Sequence, residues 1–247
     1  IGVTAQEVTS FTHGHFNAFP LVAQDEKPNR GGVFPYDKKP VELFEAIRNQ
    51  HEGDEIIQVN HPRGQPISGY FSHVGLDAQA DTVAAPYAWS TNWDAIEVFN
   101  GNCGKGEVVD DWIGLTNHGY AKTLASGSDS HTEARPIGMP RNWIKVDESA
   151  VRSDPQSLVQ PVRERRLFVS CGPFVRFTAL GADDATNYGL GELAPLGADG
   201  TVTFHASVEA PTWMSLTEVR LWENGQVIES RDISASDDPV LRFNDGF

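Results

Sequence analysis

The sequence predicts an α/β fold followed by a small all-β region. Over residues 1–172, short apolar runs alternate with helical patterns. Such an alternation is typical of an α/β layer or barrel with mainly parallel strands. From residue 173 onward the helical patterns stop, and alternating strand patterns take their place. We therefore predict two units, 1–172 and 173–247, the second being a sandwich-like appendage with fewer strands than a complete sandwich has.

The α/β character rests on strands and helices that alternate along the chain. Three short apolar runs predict buried strands: 56–59, 95–99 and 122–125. A helix is expected from Pro40, a residue that helices accept in their first turn, and Gly53 is placed to end it. A second helical stripe begins at Val108 and ends near Gly119. Asp154 is expected to cap a third helix.

The all-β character of the second unit rests on two patterns. Residues 201–208 alternate between apolar and polar side chains, with Phe204, Ala206 and Val208 on one face. Further on, Asn224-Gly225 separates two apolar-alternating runs, a signal of a hairpin with a tight primed turn.

The composition excludes several classes of partner. Hydrophobic residues make up 39% of the 247-residue chain and charged residues 21%, a globular balance. Nineteen basic side chains against thirty-four acidic ones give a formal charge of −15, which repels nucleic acids and anionic lipid surfaces. Since no run of about 18 apolar residues occurs, no membrane-spanning helix is expected. We therefore expect a soluble protein with a small-molecule partner, with neither nucleic acid nor membrane.

The compartment is left open by the sequence. Cys103 and Cys171 lie 68 residues apart, and they are either free buried thiols or one disulfide in an oxidising compartment. The bacterial cytoplasm, the periplasm and secretion all stay possible. The oligomeric state is also open.

Polar residues follow the predicted strands at the points where each strand ends. His61 comes directly after a buried strand, and Pro62 prevents that strand from continuing. Asp129 and His131 lie two residues apart after another strand, a spacing that points both side chains to one face of an extended segment. His15 and Glu7 belong to the first strand region. The carboxyl ends of strands in α/β folds are where active sites collect.

These residues together predict a metal site. Imidazole and carboxylate ligands suit zinc, manganese or iron, and one to three ions are expected. A single histidine after a strand is more often a core or surface residue than a ligand, so the prediction depends on the combination. His51 and His118 are expected to close helices, and His205 to lie on the outward face of a strand; His73 is a candidate for a substrate pocket.

Nucleophilic and nucleotide-binding alternatives fit less well. No Gly-x-Ser-x-Gly elbow surrounds Ser128, and Cys171 has no histidine placed as an evident base. Neither a P-loop nor a Rossmann glycine fingerprint is found in the sequence.

Several segments taken together resemble a known group of enzymes. The segments are Gln6-Glu7-Val8, Gly14-His15-Phe16-Asn17, Asn60-His61-Pro62, Asp94 to Gly101, Gly127-Ser128-Asp129-Ser130-His131 and Leu167 to Phe174. They resemble the PHP (polymerase and histidinol phosphatase) superfamily and, more closely, the CehA/McbA-type metallohydrolases. The likeness covers nearly the whole chain, and its most specific parts are the Asn-His-Pro and Gly-Ser-Asp-Ser-His segments.

The resemblance implies a fold and a set of roles. It implies a distorted (β/α)7 barrel, with Glu7 bridging two metals and with His15 and His61 completing the shell of the second. Asp129 would help to hold the first metal and His131 the third. Arg63 is either a contact to a substrate phosphate or ester oxygen or a solvated arginine, and Asn100 is expected to order its turn. With Arg63, the two residues Asp129 and His131 form the predicted catalytic set.

The chain departs from the family pattern at its start. The family opens with an Asp-x-His-x-His strand and a later Thr-Asp-His segment, and neither occurs here. His13-Gly14-His15 copies the first only superficially, so His13 is not assigned as a ligand. We therefore expect the barrel to be N-terminally incomplete in this chain, with the first and third metal shells half empty.

The leading hypothesis is a metal-dependent hydrolase of phosphate or carboxylic esters that uses a metal-activated hydroxide. The alternative is a catalytically impaired binding or interaction module with a residual metal site. A third reading is a metal that only stabilises the fold.

Overall fold

The structure is a computed structural model, and it describes residues 2–50, 53–64, 69–104, 106–183, 185–233 and 238–247. His51, expected to close a helix, lies outside the described residues. In chain order the strands are β1 (Gln6–Ser10), β2 (Gly14–Phe19), β3 (Ile56–Asn60), β4 (Leu76–Asp77), β5 (Thr82–Val83), β6 (Ala95–Asn100), β7 (Thr123–Gly127), β8 (Arg141–Ile144), β9 (Leu167–Ser170), β10 (Phe174–Leu180), β11 (Asn187–Tyr188), β12 (Thr203–Glu209), β13 (Glu218–Glu223), β14 (Gln226–Asp232) and β15 (Leu241–Gly246). The α-helices are α1 (Pro40–Gln50), α2 (Tyr70–Val74), α3 (Glu107–Asn117), α4 (Glu148–Ser153) and α5 (Val159–Arg163), and two 3-10 helices cover Pro28–Gly31 and Pro155–Leu158. None of the described helices has the length and apolar character needed to cross a bilayer.

The predicted (β/α)7 barrel is wrong. In the described part of the chain the main sheet is open and mixed, with the strand order β1-β2-β3-β6-β7 and five α-helices in all. β1, β2 and β3 form an antiparallel meander, whereas β3, β6 and β7 are parallel. Only residues 11–13 separate β1 from β2. Because a parallel crossover needs a dozen or more residues, this edge of the sheet forms a hairpin instead of a βα unit.

The individual elements of the α/β part were predicted better than their assembly. The three predicted buried strands are confirmed as β3, β6 and β7. The helix predicted before the first strand is confirmed as α1, and the one between the second and third as α3. The carboxylate of Asp154 accepts the N–H of Gln156 at 3.0 Å and caps the 3-10 helix that leads into α5. Local patterns fix these elements, whereas the pairing of β1 with β2 depends on the length of a turn.

β3 lies at the centre of the main sheet, and all five of its residues are buried. On one face of the sheet, Leu43, Phe44 and Ile47 of α1 pack in a cluster that contains Phe16 and Tyr70. The rings of Phe16 and Phe44 meet edge to face with centroids 4.9 Å apart. Burial of these large apolar side chains supplies most of the favourable free energy of this unit.

The other face of the sheet is covered at the amino ends of its strands. Ile56, Ala95 and Ala125 pack there against Val159 and Val162 of α5. Because α1 and α5 lie against opposite faces, β3 is shielded from solvent on both sides.

A group of charged side chains, of which Glu55 is fully buried and the others partly buried, joins α1 and α5 to the amino ends of β3 and β6. Arg48 contacts Asp94 and Glu55, with one nitrogen–oxygen distance of 2.7 Å to each carboxylate. Arg163 Nε lies 3.2 Å from the second oxygen of Asp94. The Asp94 carboxylate accepts the N–H of Ile57 at 2.8 Å, and the Asp94 N–H donates to the Ile57 carbonyl at 2.8 Å. Asp94 therefore fixes the register of β6 against β3.

The second unit contains a four-stranded antiparallel sheet with the order β11-β10-β12-β15. β12 confirms the alternation predicted for residues 201–208, since Ala206 and Val208 are buried while Thr203 and His205 are exposed. The predicted hairpin is confirmed as β13–β14. Asn224 and Gly225 both have positive φ angles, 49° and 88°, as a type I′ turn requires.

The two cysteines, whose state the sequence left open, form a disulfide in the structure. Their Cα atoms lie 6.0 Å apart, within the range that a disulfide spans. The bond joins the loop after β6 to the turn between β9 and β10. It therefore connects the main sheet to the start of the second unit.

The partly buried charges around Asp94 lead to a prediction about stability. We expect Asp94→Ala to lower the free energy of unfolding by about 2 kcal/mol, because it leaves two partly buried guanidinium groups short of a carboxylate. Urea denaturation followed by circular dichroism measures this change. The matched control is Asp25→Ala, which removes the partner of Arg30 from an exposed ion pair and is expected to cost less than about 1 kcal/mol. Equal losses in the two variants would contradict the structural importance given to Asp94.

Candidate metal centre

One face of the main sheet changes from apolar to polar along its strands. At the amino end this face is covered by α5, and toward the carboxyl end it carries Asn60 of β3 and Glu97 of β6. The β2–β3 register places His15 opposite Asn60, on the same face. This polar end of the sheet forms the candidate site.

Three side chains converge at this end. The β1–β2 register pairs Glu7 with Asn17 and Thr9 with His15, so Glu7 and His15 are diagonal neighbours on one face. The distance from Glu7 Oε1 to His15 Nδ1 is 3.2 Å, and the ring centroids of His15 and His61 lie 4.9 Å apart. One ligand atom from each of Glu7, His15 and His61 lies within 4.8 Å of the other two. This group can therefore hold a metal ion, and its imidazole and carboxylate ligands suit zinc, manganese or iron.

The backbone at His61 holds its ring at the end of β3. His61 has a φ of 26°, which few residues other than glycine adopt. Its N–H donates to Glu97 Oε2 at 2.7 Å, a hydrogen bond that helps to offset the backbone strain. Because Pro62 follows, the chain leaves the sheet directly after His61.

The electrostatics of the group favour the ligand forms of its side chains. A hydrogen bond from His15 is the largest cause that lowers the pKa of Glu7, so this carboxylate is ionised at neutral pH. Burial lowers the pKa of His61 first, and the charge of His15 lowers it further. An ionised carboxylate beside a neutral imidazole is the state that binds a divalent ion.

Glu97 was not singled out by the sequence reasoning, although it belongs to the Asp94–Gly101 segment. It is buried, and burial raises its pKa to about 7. A Cβ atom at Gly127 would lie 2.5 Å from Glu97 Oε1, so glycine on β7 leaves room for the carboxylate. The available signal was an ionisable residue in the middle of an apolar strand run, since buried acidic side chains are rare without a partner.

Asp129 and His131 lie on the turn after β7, outside the three-residue group. Asp129 has a φ of 46°, so the segment is not extended as expected, yet the two side chains still contact each other, with His131 Nδ1 3.3 Å from Asp129 Oδ1. His131 folds back with Nδ1 2.8 Å from the Asp129 carbonyl oxygen, and its side chain is 76% exposed. Asn100 donates to Asp129 Oδ2 at 3.2 Å and to Glu97 Oε2 at 3.1 Å, and so links this turn to the centre.

Arg63 is engaged by another part of the protein. Its Nε and Nη2 contact the two oxygens of Asp111 on α3 at 2.7 and 2.6 Å, and Nη2 also donates to the Leu76 carbonyl at 2.8 Å. The ion pair with Asp111 raises the pKa of Arg63 further. These contacts give Arg63 the role of tying the loop after β3 to α3.

His13 and His73 contact each other. His13 Nδ1 lies 2.9 Å from His73 Nε2, and the two rings meet edge to face. Burial, followed by the charge of His73, lowers the pKa of His13. The pair joins the β1–β2 turn to α2. His118, at the end of α3, has Nε2 2.9 Å from the Gln79 carbonyl oxygen, and His205 is exposed on β12, as the sequence led us to expect for both.

Comparison with known proteins identified no relative of this chain. No protein-family model matches the chain, and no curated protein matches its sequence. We therefore base the function on the geometry of Glu7, His15 and His61.

The raised pKa of Glu97 predicts a pH dependence of stability in metal-free protein. The native state keeps the proton up to a pH of about 7, whereas the unfolded chain releases it above the ordinary value of 4.5. Deprotonation therefore favours unfolding, and stability is lost as the pH rises through this window. Between pH 5 and pH 8 we expect the free energy of unfolding of wild type to fall by about 2 kcal/mol more than that of Glu97→Gln. Urea denaturation of both proteins in EDTA measures this difference, and parallel pH profiles would refute it.

Proposed function

We propose that this protein is a metal-dependent hydrolase of phosphate or carboxylic esters, with its ion held by Glu7, His15 and His61. The observation that carries the proposal is the convergence of these three side chains at the polar end of the main sheet. The resemblance of the surrounding segments to CehA/McbA-type metallohydrolases points to the same chemistry.

The composition of the group favours catalysis over a purely structural ion. Structural zinc sites are closed by four protein ligands and commonly use thiolates, whereas catalytic sites use three protein ligands and keep one position open. Here both cysteines are in a disulfide, and the group has three members. The side chains of Glu7 and His15 are 42% and 24% exposed, so a small substrate can reach them.

In ester hydrolysis the metal ion and the protein side chains would have different roles. A divalent ion held by Glu7, His15 and His61 would supply a Lewis acid that polarises the ester and lowers the pKa of a water molecule. The protein's own part is to hold the three ligands in place. Asn60 donates a hydrogen bond that helps to keep Glu7 ionised, and Glu97 holds the backbone of His61. Asp129, linked to Glu97 through Asn100, is positioned by this same network.

One observation favours the second candidate, a binding module with a residual metal site. Asp129 and His131 are both outside the three-residue group, and His131 is largely exposed. In such a module the ion binds and orders the carboxyl end of the sheet, but no ester is turned over.

Metal content tests the site itself. After dialysis against EDTA and reloading with zinc or manganese, we expect wild type to retain about one ion per chain by elemental analysis. His61→Ala is expected to weaken binding by roughly 100-fold, because it removes a ligand and not merely a supporting group. His205→Ala, which removes an exposed imidazole on β12, is the matched control and is expected to bind as wild type does. The assignment of the metal site would be overturned if His61→Ala retained as much metal as wild type, or if wild type retained none.

Turnover separates the two candidate functions. We expect the reloaded protein to hydrolyse p-nitrophenyl acetate or bis(p-nitrophenyl) phosphate, and EDTA to abolish the activity. His205→Ala should keep this activity while His61→Ala loses it. An ion that binds through His61 in a protein without turnover of either ester would favour the binding module.

A further inference from the structure

A cleft lined by aromatic rings lies in the second half of the chain, apart from the residues of the metal centre. Its volume is about 280 Å³, and it runs between the β8–β9 ribbon and β10. Trp143 of β8 stacks on Phe168 of β9, with ring planes 16° apart, and both rings meet Phe174 of β10 edge to face. Trp143 is 36% exposed. Pre-formed, mainly apolar clefts of this size are typical of small-molecule sites.

The same cleft gathers positive charge. Lys145 and Arg166 extend the β8–β9 ladder by one pair beyond Ile144 and Leu167, and the Lys145 N–H donates to the Arg166 carbonyl at 2.8 Å. Both residues line the cleft, as does Arg176 of β10. Like charges directly opposite each other on paired strands repel. Such a cluster is notable in a chain with nineteen basic and thirty-four acidic residues.

Neighbouring carboxylates balance only part of this charge. Arg166 Nη2 lies 2.6 Å from Glu164, and Arg176 pairs with Glu209. Arg166 Nε is buried and has no hydrogen-bond acceptor among the described residues. Lys145 has no carboxylate within 4.0 Å in the described part of the chain, but Glu192 is near it: a Cβ atom at Gly189 would lie 3.7 Å from Lys145 Nζ and 3.6 Å from Glu192 Oε2. The cleft therefore combines an aromatic surface with two cations that are incompletely paired, since Lys145 forms no direct ion pair and Arg166 Nε has no acceptor among the described residues.

We propose that this cleft binds a small organic anion that carries an aromatic ring, of the aryl carboxylate class. The ring stacks in the cleft formed by Trp143, Phe168 and Phe174, where burial of its apolar surface is favourable. The carboxylate is bound by Lys145 and Arg166, and it relieves their mutual repulsion. This site is separate from the proposed ester hydrolysis and does not depend on a bound metal.

Calorimetric titration tests the proposal with 2-naphthoate as the probe and EDTA present, so that the metal centre cannot bind the carboxylate. We expect saturable binding at one site, and binding at least about tenfold weaker for the uncharged analogue 2-naphthalenemethanol, since one charge-assisted contact accounts for that factor. Lys145→Gln should reduce the affinity for naphthoate and leave that for the alcohol unchanged. Lys27→Gln, an exposed lysine elsewhere, is the matched control.

A second measurement, on the folded protein, tests whether naphthoate binds in the cleft. With 5-fluorotryptophan incorporated, the fluorine resonance of Trp143 is the one that Trp143→Phe removes, and we expect naphthoate to shift it. Absence of saturation at millimolar naphthoate, equal affinities for the acid and the alcohol, or no effect of Lys145→Gln would overturn the proposal. Binding that leaves the Trp143 resonance unmoved would overturn it as well.

Discussion

The double contact between Asp94 and Ile57 is the constraint on which the arrangement of the site depends. Backbone and side chain of Asp94 both bond to the backbone of Ile57, and two arginines hold the carboxylate in place. With that register fixed, Glu97 of β6 reaches the N–H of His61 at the far end of β3. A slip of one residue would turn Glu97 to the opposite face of the sheet. The charges at the amino ends of the strands therefore position the ligands at their carboxyl ends.

The two halves of the main sheet contribute different residues to the candidate metal centre. The parallel half, β3, β6 and β7, supplies His61, Glu97 and the turn with Asp129, whereas the antiparallel hairpin supplies Glu7 and His15. β3 takes part in both kinds of pairing. The three candidate ligands therefore come together only when the hairpin has docked on β3, and the site forms with the sheet.

The sequence predicted the individual strands and helices better than it predicted the pairing of the strands. β3, β6, β7, α1 and α3 follow from local apolar periodicity and from turn residues, which act within a few positions of the chain. The barrel was wrong because residues 11–13 close a hairpin, a matter of strand pairing that periodicity does not carry. Glu7, His15 and His61 were predicted as ligands and do come together. The expected extended backbone between Asp129 and His131 is interrupted by a left-handed φ at Asp129, although the two side chains still contact each other at 3.3 Å.

The disulfide between Cys103 and Cys171 closes a covalent ring of the chain. The ring spans 68 positions and contains α3, β7, the Asp129 turn and the β8–β9 ribbon, while β1, β2 and β3 lie outside it. A cut anywhere inside the ring would leave both fragments joined until the bond is reduced. In the oxidised chain the ends of β6 and β9 stay close even when unfolded, which lowers the entropic cost of bringing β7 back to β6.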